Sequence, residues 1–212
     1  MNLTNIHKSL LLFFALCSFT SFVFLFQFNT TNGVLAEYED IDGNAYKFGL
    51  HYIEGWENSE SQFMSYDIPC KGQLLGKNAC SSRETLMDLT TAATYVTLVF
   101  CISLFSVFFF VLEKNELSFT SKSIGFVIIC LYVADVALHG VMFSENDSFY
   151  SALKELSTQE EGLGSLNQGQ SMFYIGGSLI CHLAIPGAIL IGFFGNLIYS
   201  YCKKNNGYTL ST

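Results

Sequence analysis

The chain has 212 residues and a formal charge of −8, yet half of its residues are apolar and only 13% are charged. With positive mean hydropathy and only 2 Pro, this composition excludes an ordinary water-soluble domain as well as a disordered or repeat-built chain. The negative total does not point to a basic partner, because the acids are sorted by region. Residues 29–88 hold ten acids against four bases and residues 144–170 hold five against one, while the short ends and turn between them carry five bases against two acids.

A bilayer core of about 30 Å needs roughly 20 apolar helical residues, since no backbone polar group can be left unpaired in hydrocarbon. Residues 9–28, 89–112 and 171–201 are uncharged over that length or more, and residues 123–143 carry a single acid, Asp135. These are the predicted spans. A cleaved leader ending at Val34-Leu35-Ala36 is the competing reading of the first, but its apolar stretch is longer than a signal core. Lys8, Lys114, Lys122, Lys203 and Lys204 flank the spans, and flanking bases stay cytoplasmic. Both termini are therefore expected inside, with residues 29–88 and 144–170 as outer loops.

The first outer loop carries strand signals. Val34 to Ile41 is followed by the turn pair Asp42-Gly43, and Tyr46, Phe48, Leu50 and Tyr52 alternate with Lys47, Gly49 and His51. A small antiparallel sheet follows. Cys70 and Cys80 lie in the same loop, the only pair of cysteines outside the membrane, and an oxidising compartment predicts a disulfide between them. Cys17, Cys101, Cys130 and Cys181 read as small buried residues within the spans. Cys202, beside Lys203 and Lys204 at the inner edge, is a palmitoylation candidate, and Asn146 of Asn146-Asp147-Ser148 a glycosylation candidate.

Within the spans the polar residues stand out. Asp135 is expensive in hydrocarbon and must face the bundle interior or be protonated. His139 lies one turn further on the same face, and His182 of the last span falls at a similar depth. Either each finds its own backbone or hydroxyl partner, or the three form a polar cluster that pins spans three and four. Ala184, Ala188 and Gly192 recur every four residues and offer a smooth packing stripe, with Pro186 loosening the helix locally.

Four spans, a long first outer loop with strands and a Cys-x9-Cys pair, and a shorter second loop without Cys together resemble the claudin, peripheral myelin protein and calcium-channel gamma-subunit superfamily. Gly169-Gln170-Ser171-Met172-Phe173-Tyr174-Ile175-Gly176 is similar to that family's Gly-x-Ser-x-Phe-Tyr-x-Gly entry to the fourth span. The family's Gly-Leu-Trp is absent, since Tyr66-Asp67-Ile68-Pro69 precedes Cys70 and the sole tryptophan is Trp56.

The expectation is an all-α membrane protein, a four-helix transmembrane bundle with a small extracellular antiparallel β-sheet, forming one unit over residues 1–212. The resemblance implies a non-enzymatic role at the plasma membrane, in cell-cell contact or membrane organisation through the extracellular loops. An accessory subunit of an ion channel or receptor is the alternative, and a pore or transporter the second. Expected partners are the lipid bilayer and other membrane proteins in cis or trans, further copies of the chain included, with no nucleic acid, cofactor or metal. No catalytic motif is present.

Overall fold

The computed structural model describes residues 5–40, 42–57, 60–72, 75–114, 119–159 and 164–184. Hydropathy dictates the long elements. Helices α1 (Asn5–Thr30), α3 (Gly76–Lys114) and α4 (Phe119–Gln159) each contain a stretch long and apolar enough to cross a bilayer. The fourth predicted span begins as helix α5, Ser171–Ala184. Residues 185–212 lie outside the described residues, and with them Pro186, Ala188, Gly192 and Cys202.

The bundle has an inverted polarity. Leu16, Phe19 and Phe26 on α1, Tyr95, Ile102 and Phe109 on α3, Phe126, Ile129 and Val133 on α4, and Ile180 on α5 are exposed. Ser18, Ser21, Thr90, Thr94, Thr97, Asp135, His139, Ser178 and His182 are buried. An apolar outside with hydroxyls and ionisable groups inside suits a chain whose solvent is hydrocarbon.

Helices α3 and α4 run well past the predicted spans 89–112 and 123–143, so much of what hydropathy assigns to the two outer loops is helix. The extensions hold together because their apolar stripes meet. Ala79 and Leu86 of α3 share a buried cluster with Phe149 and Leu153 of α4, joined by Phe28 of α1 and by Leu35 and Ala36 of the sheet. A polar outer flank lowers the average hydropathy of such a helix without weakening it.

Strands β1 (Val34–Glu39), β2 (Ala45–Gly49), β3 (Tyr52–Glu57), β4 (Glu60–Ser65) and β5 (Ser165–Gln168) form one antiparallel sheet in the order β4-β3-β2-β1-β5. The turn after β1 is closed by Asp40, whose carboxylate accepts from the Asp42 N–H (2.9 Å), the Asn44 N–H (2.8 Å) and the Asn44 side-chain amide (2.9 Å). Gly43 takes φ +83° there, a conformation open to glycine at no steric cost.

The alternation over Tyr46 to Tyr52 is not one strand but a hairpin, with β2 and β3 paired Phe48 to Ile53 and Leu50-His51 at the turn. The cause lies 18 residues upstream. Asn32, at φ +57°, reaches into the turn and accepts from the N–H of His51 (2.7 Å) and of Tyr52 (3.0 Å), while its amide donates to the Tyr52 carbonyl (3.0 Å). Gly49 leaves room for it, since a Cβ there would stand 2.0 Å from the Asn32 amide nitrogen.

The sheet is fastened to the helices by polar groups as well. Arg83 of α3 donates from Nε to the Leu50 carbonyl (2.8 Å) and from Nη2 to that of His51 (3.2 Å), and stacks 4.3 Å above the Tyr66 ring. Tyr66 donates to the Gly49 carbonyl at 2.8 Å. Short helix α2 (Asp67–Lys71) follows, and Cys70 near its end is disulfide-bonded to Cys80 in the first turns of α3, with Cα atoms 5.8 Å apart. Closing so short a loop stabilises by about 2–3 kcal/mol in the chain-entropy picture.

Two sequence expectations are corrected. Asn146 lies inside α4 with no exposed surface, so this fold has no room for a glycan on it. Cys130 is exposed on the flank of α4 rather than buried, whereas Cys101 is buried and Cys17 and Cys181 are intermediate.

Asn32→Ala should destabilise the protein by about 2–3 kcal/mol, because it strands turn donors and keeps the strained φ; Asn32→Asp, which retains the acceptor, should lose less. Thermal unfolding in detergent checks the order. The Asn44 side-chain bond, then the backbone donors, hold the Asp40 carboxyl below its ordinary value of 3.8. Its contribution to the turn is therefore present above that value and lost as pH falls through the lower folded one. Amide exchange at Asn44 should accelerate in that acid range, and Asp40→Asn should abolish the step.

Candidate functional site

Between two apolar clusters the bundle carries a polar layer. On one side lies the cluster of Leu25, Ala93, Met142 and Ile175, and on the other that of Ala15, Phe100 and Leu104 with Leu131 and Tyr132 packed against it. Each helix crosses from one to the other through polar residues: Ser21 on α1, Thr97 on α3, Asp135 and His139 on α4, Ser178 and His182 on α5. All six have no exposed surface.

The structure brings Asp135, His139 and His182 together. Asp135 Oδ2 lies 2.8 Å from His182 Nε2, and Asp135 Oδ1 lies 3.5 Å from His139 Nδ1. Helical periodicity places the first two, since residues four apart share a face, and the rise per residue brings α5 to the same depth.

Proton directions follow from the acceptors that cannot donate. His139 Nδ1 lies 2.8 Å from the Asp135 carbonyl, so that nitrogen carries a proton and Nε2 of the neutral ring accepts from the Ser178 hydroxyl at 2.6 Å. Ser178 Oγ then accepts from Ser21 Oγ, and Ser21 accepts from His182 Nε2 at 2.7 Å. That N–H is shared with the Asp135 carboxylate. Thr97 donates from the other side, 2.9 and 3.0 Å from the two carboxylate oxygens, and also lies 2.8 Å from the Ala93 carbonyl. Tyr132 secures the α5 backbone by donating to the His182 carbonyl at 3.2 Å.

With both imidazoles neutral this assignment satisfies every group except His182 Nδ1, which has no partner. Among the described residues the two imidazoles are the titratable groups that face the Asp135 carboxyl. Such a layer can fix the register of four helices and take up a cation or a proton. Nothing in it is placed as an activated nucleophile.

Asp135, His139 and His182 carry a sequence signal, an acid and two imidazoles in apolar spans. Ser21, Thr97 and Ser178 were missed because hydroxyls are common in spans and usually bond back to their own helix, as Thr90 and Thr94 do here. The spacing of Ser178 one turn before His182 was the available clue. Ala184 lies on α5 with partial exposure; the rest of its predicted stripe, like Cys202, is outside the described residues.

No family model, no curated protein and no solved structure matches the sequence.

His182→Phe leaves the buried carboxylate without its imidazole and should cost about 3 kcal/mol. Adding Asp135→Leu to it should restore part of the loss, since the orphaned charge is then removed. A double-mutant cycle read by thermal unfolding in detergent checks the coupling.

Proposed function

We propose that this chain is a non-enzymatic, claudin-like protein of four spans at the plasma membrane, with both termini inside. Its sheet-bearing end stands outside and makes contacts with other membrane proteins, in cis or across to a neighbouring cell. The observation that carries the reading is strand β4. It is the edge of the sheet, all six of its residues are exposed, and it presents Phe63 and Met64 beside the exposed Ile68 of α2.

A long, open strand edge with large apolar side chains is a pairing template that monomeric proteins usually blunt with proline, charge or a bulge. Here only Glu60 supplies a charge along the strand. The opposite edge is treated differently: β5, from the second predicted loop, is short and carries one large apolar residue, Leu166, whose carbonyl accepts from Tyr150 of α4 at 3.2 Å. The asymmetry supports contact through β4. Main-chain pairing would supply the affinity, and the hollow among Trp56, Phe63, Met64 and Ile68 would accept a partner's apolar side chain.

In non-adherent cells expressing the full chain, enrichment at cell-cell contacts is expected. Phe63→Glu with Ile68→Ser should reduce that enrichment several-fold while the variant still reaches the surface with its Cys70–Cys80 disulfide. Equal enrichment of the variant, or none for the unaltered chain, overturns the reading. Co-purification with a larger channel would favour the accessory-subunit alternative in its place.

A further inference from the structure

The buried layer of Asp135, His139 and His182 poses a charge question that hydrogen bonding leaves open. A carboxyl group with no exposed surface, held by one hydroxyl and one shared imidazole N–H, has no permanent cation beside it among the described residues. In hydrocarbon such a charge is costly unless neutralised.

We propose that these three residues bind a divalent transition-metal ion, with zinc the best fit. The donor set is two imidazoles and one carboxylate, borderline ligands that suit zinc better than the hard, oxygen-seeking calcium or magnesium. Their ligand atoms already lie within 4.8 Å of one another. A tetrahedral ion with ligands at about 2.0 Å holds neighbouring ligand atoms about 3.3 Å apart. The 2.8 Å between Asp135 Oδ2 and His182 Nε2 is close to that value, and the His139 ring stands beside that of His182 with centroids 5.3 Å apart.

The surroundings are arranged as a ligand's supporting groups would be. His139 Nδ1 donates to the Asp135 carbonyl, which fixes the ring and leaves Nε2 with its lone pair turned to the layer. Thr97 of α3 holds the carboxylate by donating to its oxygens at 2.9 and 3.0 Å. On binding, the proton on His182 Nε2 moves to Nδ1, the one layer nitrogen that lacks a partner. The ion then takes Nε2 of both rings and a carboxylate oxygen, and Ser21 or Ser178 supplies a neutral oxygen in the fourth position. No redox step is involved, and the metal's charge answers the carboxylate's.

The proposal goes against the expectation of no metal read from the sequence, and it is independent of the contact role of β4. The test uses the full chain purified in detergent, loaded with zinc, freed of excess by gel filtration and assayed for metal per chain. About one zinc per chain is expected, with a visible ligand-field spectrum when cobalt replaces it. The triple variant Asp135→Asn, His139→Gln, His182→Gln should bind at least about tenfold less. Monodisperse elution and an intact Cys70–Cys80 disulfide establish that the variant is folded; should it not fold, the cobalt spectrum of the unaltered chain decides alone, since nitrogen and oxygen ligation gives a band and adventitious surface binding is washed away. Less than about a tenth of an equivalent on the unaltered chain with no cobalt band, or undiminished binding by the folded triple variant, overturns it.

Discussion

The carboxylate of Asp135 sets the terms for the bundle. Buried among apolar surroundings it must have donors, and they come from two other helices: Thr97 from α3 and His182 from α5, while Ser21 of α1 joins the layer by accepting from the same His182 nitrogen. Sliding any one helix by a turn, about 5.4 Å, would take its donor out of reach and leave a charge or a hydroxyl unpaired. Apolar packing alone is permissive in register, because one ridge of Leu and Phe resembles the next. The polar layer is not, and this is the best-attested use of buried polar groups.

The sheet end depends on the same need to satisfy buried polar atoms, met differently. Its turns are closed by side chains arriving from elsewhere, Asn32 and Arg83 both working on the Leu50–Tyr52 backbone. Because Arg83 stands on α3 and Asn32 lies two residues past the end of α1, the hairpin is tied to two helices at once. The Cys70–Cys80 link adds a covalent tie from the end of β4 to α3 by way of α2. The apolar side chains at β4 are thus held out on a rigid support, which is what a contact surface needs if ordering costs are to be small.

How much of this was legible in the sequence depends on the range of the interaction concerned. The three long helices could be read because each is a local run of apolar residues, and β1 with its Asp42-Gly43 turn because the signal is local too. The extensions of α3 and α4 were hidden, since residues 76–88 and 144–159 mix charges with apolar residues and helical pairing, not mean hydropathy, holds them. The hairpin at Leu50-His51 has no Asn-Gly or Asp-Gly of its own; its turn chemistry comes from Asn32. Asn146 reads as a sequon in a loop until the loop proves to be helix. Of the polar layer, the ionisable members announced themselves and the hydroxyls did not.

One coupling runs the length of the molecule. Strand β5 and helix α5 are separated by Gly169 and Gln170, and Gly169 donates to the Leu35 carbonyl at 3.0 Å where a Cβ would come within 2.3 Å of the Val34 oxygen. The close approach is open only to glycine, and it makes docking of α5 and addition of β5 to β1 parts of one event. Before that event Asp135 has only Thr97 and, on its own helix, His139 among the described layer residues, β1 has an open edge, and Ser21 has neither Ser178 nor His182. Afterwards all three are satisfied together. The last helix therefore serves as the closing element for both the buried carboxyl and the sheet, leaving β4 as the long edge without a strand partner among the described residues.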